Sequence, residues 1–137
     1  KLYYDGKQIY QPGIHLWYSL VDAGKKKRVT GQGKATFSKL FGSMVYIVEE
    51  KVPHIYQQFE LFRCMVVNKS TKGRIMSVRP KFDKWALRFH VEFEDEIAPE
   101  VVEEGYTIAG KYSGMGAWRP QNKGPYGKFK VQSFKKC

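Results

Sequence analysis

A chain of 137 residues with 42% hydrophobic content can bury one core and hardly two, so a single domain is expected. Its 24 Lys and Arg against 13 Asp and Glu give a formal charge of +11, which makes a polyanion the natural partner and nucleic acid the first candidate. No run approaches the roughly 20 apolar residues of a membrane span, and Cys64 and Cys137 form no disulfide framework, so a soluble protein of a reducing, cytoplasmic compartment with no membrane partner is expected.

Taken in chain order, Leu2 to Tyr10 holds two short aromatic-rich pieces around Asp5-Gly6, a hairpin turn signal. After Pro12-Gly13, the spacing of Ile14, Trp17, Tyr18 and Val21 predicts one apolar face of a helix over Ile14 to Ala23, with Gly24 as its stop. Lys25, Lys26, Lys27 and Arg28 then open a basic segment that runs through Gly31 and Gly33 without apolar periodicity and reads as a mobile loop. Ser43 to Val48 reads as a strand, ended or bent at Lys51-Val52-Pro53 because proline donates nothing to a ladder.

Phe62 to Val67 and Arg74 to Arg79 read as two strands of a hairpin whose tip, Asn68 to Gly73, is basic. From Trp85 to Phe93, apolar side chains alternate with Ala86, Arg88, His90 and Glu92, which predicts a nine-residue strand with one buried face. Pro99 suits a first helical turn, and Glu100, Glu103 and Glu104 suit the positive end of the helix dipole, so a helix is expected from Pro99 to Tyr112. A glycine-rich loop follows, and Phe129 and Val131 between Lys128 and Lys130 read as a final strand. The pattern of helix, strands, helix and strand is α+β, with both helices on one face of a mainly antiparallel sheet. It contains no internal repeat.

Charge is unevenly placed. Residues 91–110 carry seven acids and no Lys or Arg, whereas residues 111–137 carry seven cations and no acid. The acidic stretch reads as a solvated face turned away from a polyanion held by the rest. Two segments combine charge with other means of holding a strand. The loop from Gly114 to Gly127 interleaves Trp118 and Tyr126 with Arg119, Lys123 and, just beyond it, Lys128; glycine lets backbone approach phosphate and the aromatic faces suit base stacking. Lys72, Arg74, Arg79, Lys81 and Lys84 lie on or beside the hairpin, with Arg74, Met76 and Val78 sharing one face.

Catalysis finds little support. His15, His54 and His90 are dispersed and have no zinc-ligand spacing with the cysteines, so neither a metal site nor a cofactor is expected. The acids between Glu92 and Glu104 form a contiguous run with no second acidic site to converge on, and no phosphate-loop lysine or Gly-x-Ser-x-Gly motif is present.

With these segments in place, the chain resembles the RAMP superfamily, ferredoxin-like proteins that include the RNA-binding backbone subunits of CRISPR effector complexes. Tyr10-Gln11-Pro12-Gly13-Ile14-His15-Leu16 is similar to the family's strand, Pro-Gly turn and first helix, and Gly114-Met115-Gly116 through Tyr126-Gly127-Lys128-Phe129-Lys130-Val131 to its glycine-rich loop and last strand. The chain is also similar to small phage proteins with an Arg-Pro-x-Phe segment, here Arg79 to Phe82, and a Trp-Arg-Pro loop, here Trp118 to Pro120. The resemblance implies a ferredoxin-like (RRM-like) sheet with two helices, a short or missing first strand, and a basic loop and β insertion at about residues 25–60. It also implies a non-enzymatic, phage-encoded subunit in the host cytoplasm that binds single-stranded RNA or DNA and assembles along it as a homo-oligomer or within a larger complex. The alternative is a viral assembly protein, or an inhibitor of a host defence complex, that meets an acidic protein through its basic surface.

Overall fold

A computed structural model of the chain describes residues 2–27, 35–68, 70–116, 119–122 and 126–135. The protein is α+β and divides into two compact units, one built from residues 1–12 and 51–88, the other from residues 13–50 and 89–137. Among the described residues the strands pair as three separate two-stranded antiparallel sheets, where one continuous sheet was expected.

In the first unit, β1 (Tyr10–Pro12) pairs antiparallel with β3 (Lys51–Pro53), with Gln11 opposite Val52. Lys51-Val52-Pro53 is therefore itself a strand and not merely the end of one; Pro53 is tolerated because it closes a three-residue strand, where a missing donor costs least. Ahead of β1 the expected turn forms: Gly6 adopts φ +94°, and the Asp5 carboxylate accepts the backbone N–H groups of Lys7 and Gln8, each at 2.9 Å. The Gln57 side-chain amide acts as a substitute peptide, accepting from Ile9 N at 2.6 Å and donating to the carbonyls of Ile9 and His54. The hairpin of β4 (Glu60–Val67) and β5 (Arg74–Lys81) keeps full register from Glu60 opposite Lys81 to Val67 opposite Arg74. At its tip the Asn68 side chain accepts from Ser70 N, and Lys72 takes φ +60°.

The second unit contains the larger core. Its elements are α1 (Gly13–Gly24), α2 (Phe37–Met44), β2 (Val45–Ile47), β6 (Val91–Phe93) and α3 (Pro99–Ile108), with a π-helical turn at Ala109–Ser113. β2 and β6 pair antiparallel, and Leu20, Ala23, Phe41, Val45, Ile97, Val102, Tyr106 and Ala109 pack together as the core.

Four local expectations change here. First, α1 buries Leu16, Ser19, Leu20 and Ala23 and leaves Ile14 and Tyr18 exposed, while Trp17 and Val21 are half-buried with Val21 against the core, so the buried face is rotated from the predicted one. This helix is apolar nearly all round, so two stripes satisfy a 3.6-residue period, and the slimmer one admits closer helix packing. Second, residues 37–44, expected within the β insertion, form α2; the strand expected over Ser43 to Val48 is confined to β2, and the inserted β elements lie at residues 51–81.

Third, the alternation from Trp85 to Phe93 survives in exposure from Leu87 onward, but only Val91–Phe93 joins a ladder. The segment passes from one unit to the other after Arg88, so Ala86 and Leu87 meet Ile55 and His54 while His90 to Phe93 meet β2 and Val48. Fourth, Phe129 and Val131 point inward from an extended segment that is not a strand; Phe129 N donates to Gly110 O, and no neighbouring strand among the described residues extends the pairing.

Glycine permits the close contact between α1 and α2. A Cβ on Gly24 would lie 2.6 Å from the backbone nitrogen of Ser38, whereas one on Gly42 meets only the Trp17 ring at 3.9 Å. Gly24→Ala is therefore expected to destabilise the protein by roughly 1–3 kcal/mol through overpacking. Gly42→Ala, inside α2, should stabilise it by about 0.5–1 kcal/mol. Urea unfolding followed by circular dichroism checks both; equal signs would contradict this packing.

Candidate nucleic-acid interface

The two units divide the charge very differently. The first holds eleven Lys and Arg against Asp5, Glu60 and Asp83, a formal +8, and the second holds thirteen against ten acids, a formal +3. All seven acids of residues 92–104 belong to the second unit and are exposed. This concentration is hidden in the linear sequence because each unit is assembled from two separated stretches.

Within the first unit, lysine ammonium groups stand over aromatic rings. Lys84 Nζ lies 4.5 Å from the Tyr56 ring centre, Lys51 Nζ 5.2 Å from Tyr10, and Lys81 Nζ 5.8 Å from Phe62. Such pairs hold the cation beside a flat apolar face. Phe82 lies between His54 and Phe59, with ring centres 4.6 and 5.8 Å away. Tyr56 and Phe59 are exposed, so this unit offers both ring faces and cations to solvent. Lys84 belongs to the cation cluster read beside the hairpin, but Tyr10, Lys51 and Tyr56 were not among the contact residues expected from sequence; the signal available was only that each aromatic has a lysine within its own unit.

The structure separates the hairpin cations. The register places Arg79 and Lys81 on the face that carries Phe62, and Arg74 on the opposite face with Met76 and Val78. Arg79 Nε donates to Ser77 Oγ at 3.1 Å, and Lys81 pairs with Asp83 at 3.7 Å. Lys72 is exposed at the tip.

In the second unit, Lys25 pairs with Asp22 at 3.6 Å, Lys27 pairs with Glu104, and Lys26 stands 5.4 Å over the exposed Tyr112 ring. Arg119 Nη1 donates to Gly116 O at 2.8 Å and Nε donates to Gln121, so part of its guanidinium is committed to holding its own loop. That loop is tied to α1 by the Ser19 hydroxyl, which donates to Gly114 O at 3.0 Å, and by the Ser113 hydroxyl, which donates to Asp22 at 2.7 Å. Gly127 takes φ +83°, and a Cβ there would lie 1.8 Å from Met115 O, so this glycine serves chain closure. Tyr126 and Lys128 are exposed. Arg28, Trp118 and Lys123 lie outside the described residues.

The histidines are kept apart. Burial holds His54 below the ordinary imidazole range; its Nδ1 is buried without a hydrogen-bond partner. Burial and the Arg119 charge likewise lower His15. His90 Nδ1 sits 2.5 Å from Glu49, which also accepts the His90 backbone N–H. Burial works against the charged form of Glu49, but these hydrogen bonds hold its carboxyl below the usual range. Among the described residues no group of three His, Cys, Asp or Glu is placed to hold a metal ion, and no helix is long and apolar enough to cross a membrane.

No known family, curated protein or solved structure matches the chain.

A neutral His54 carries a pH signature. Its folded pKa lies below the unfolded value of about 6.5, so its contribution to stability is complete above that value and is lost as pH falls through the folded pKa. Stability should fall on acidification from about pH 7 to 5, and His54→Phe, which keeps a ring against Phe82, should make that fall shallower. An unchanged slope in urea titrations would remove His54 as its source.

Proposed function

We propose that the protein binds single-stranded nucleic acid without catalysis and that the first unit carries the principal contact surface. The observation that carries this reading is the formal +8 of that unit combined with its three lysine-over-aromatic pairs. Phosphates supply long-range attraction and most of the affinity, while exposed aromatic faces gain most from unpaired bases that can leave their stack. A duplex hides those faces, which favours a single strand.

The second unit supports a ferredoxin-like reading. Its order is α1, α2, β2, β6, α3; apart from the additional helix α2, and with β2 and β6 antiparallel, this corresponds to the middle of the strand-helix-strand-strand-helix-strand plan, and β3 to β5 are inserted between the two strands. In this reading the protein is a RAMP-like, phage-encoded subunit of the host cytoplasm, assembling along RNA or single-stranded DNA.

Fluorescence anisotropy with a labelled uridine or thymidine oligonucleotide at near-physiological salt, on nuclease-treated protein, tests this. Lys51→Gln with Lys84→Gln should weaken binding and reduce the log-salt slope by about 0.7 for each phosphate that the variant leaves unneutralised. Tyr56→Ala should weaken binding by roughly 1–3 kcal/mol with little change in slope. Absence of binding, or wild-type binding by both variants, would refute the reading.

A further inference from the structure

The face of the β4–β5 hairpin that carries Arg74 is the most open apolar surface of the first unit. Met65 lies directly opposite Met76, Arg63 opposite Val78, and Val67 opposite Arg74. Both strands thus present Arg-x-Met-x-Val, at residues 63–67 and 74–78, and the antiparallel register gives the face approximate two-fold symmetry about its normal. Met65, Val67, Met76 and Val78 are each more than half exposed, as is Leu61 at the base. Exposed apolar residues that are contiguous, rather than scattered, mark an interaction surface.

Three features choose the occupant. The only charges on this face are Arg63 and Arg74, at diagonal corners, so the partner carries carboxylates. The face has aliphatic side chains and no aromatic ring, which suits apolar side chains better than stacked bases. Eight-residue strands at about 3.3 Å per residue and roughly 10 Å of width give a face of only about 270 Å². A stable dimer buries about 800 Å² of accessible surface per partner, more than a footprint of this size supplies, so the face fits a short segment better than a second copy.

We infer that this face docks an acidic amphipathic helix of another protein, its apolar stripe over the Met65–Met76 pair and its carboxylates at Arg63 and Arg74. The two arginines are separated by four residues along the ladder and one strand across it, about 14 Å. Paired carboxylates roughly nine residues apart on a helix span that distance. Methionine at the centre adapts to different apolar side chains, so the charge spacing, more than the apolar contact, selects the partner.

The test uses the full chain and a fluorescein-labelled synthetic helix of about 18 residues, with a leucine stripe and glutamates about nine residues apart. Matched peptides carry lysine for glutamate or serine for leucine. The acidic peptide is expected to bind and both matched peptides to fail. Met76→Thr with Val78→Thr, which keeps strand propensity and charge, should weaken binding about tenfold or more, as should Arg63→Gln with Arg74→Gln. Because all four positions are exposed, circular dichroism of both variants should match the wild type.

Equal binding of the acidic and lysine peptides, or wild-type affinity in the Met76→Thr, Val78→Thr variant, would overturn the proposal. Loss of oligonucleotide binding in that same variant would assign the face to nucleic acid instead. Self-association in sedimentation that the variant abolishes would assign it to a second copy. Either outcome refutes the docked helix, and neither the peptide result nor its failure alters the Lys51 and Lys84 experiment.

Discussion

The first unit is held on a very small core. Among the side chains of its two stretches that the structure describes, which leave out those of Cys64 and Val66, Ile9 and Val52 are the only buried hydrophobic ones, and the adjacent His54 is buried with an unsatisfied nitrogen. Backbone pairing must therefore substitute for packing, which it does through the β1–β3 ladder and the Gln57 amide clasping Ile9. A unit with so little interior cannot cover its own apolar and aromatic surface, and a two-stranded hairpin is marginal by itself. Its exposed rings, aliphatic face and high charge are thus consequences of one constraint, and they are the same features that suit it to partners.

The second unit shows the opposite balance. Phe41, Leu20 and Val102 are fully buried, Gly24 admits α2 against α1, and Gly105 leaves room for Leu20 and Phe41 against α3. Tyr106 joins this core with its hydroxyl donating to Leu16 O, and burial pushes its phenol above the ordinary range. Polar groups that enter the interior are satisfied within the unit, as with Ser19 and Ser113, which anchor the glycine-rich segment. Arg119 and Gly127, which look like phosphate-binding residues by composition, are partly explained by that closure. The charge available to a polyanion is correspondingly greater in the first unit.

Legibility followed the range of the interactions. The Asp5-Gly6 turn, α1, the β4–β5 hairpin and the proline start of α3 were readable because capping, turn chemistry and local periodicity decide them. The buried face of α1 was not, since Ile14, Trp17, Tyr18 and Val21 form as good a stripe as Leu16, Leu20 and Ala23 until the neighbours are known. The extent of β6 was hidden for a related reason: a period of two reports alternating burial, not the presence of a partner strand. The cation-aromatic pairs join residues as far apart as Tyr10 and Lys51, and the repeated Arg-x-Met-x-Val becomes meaningful only once the register aligns it.

The central claim is that a single strand lies on the first unit's cations and rings. Ultraviolet crosslinking of a uridine-rich oligonucleotide to the full chain, with crosslinked peptides located by mass spectrometry, tests it most directly. The account predicts crosslinks in peptides that carry Tyr10, Tyr56 or Phe59. Crosslinks confined to residues 13–50 and 89–137, or none at saturating oligonucleotide, would contradict it.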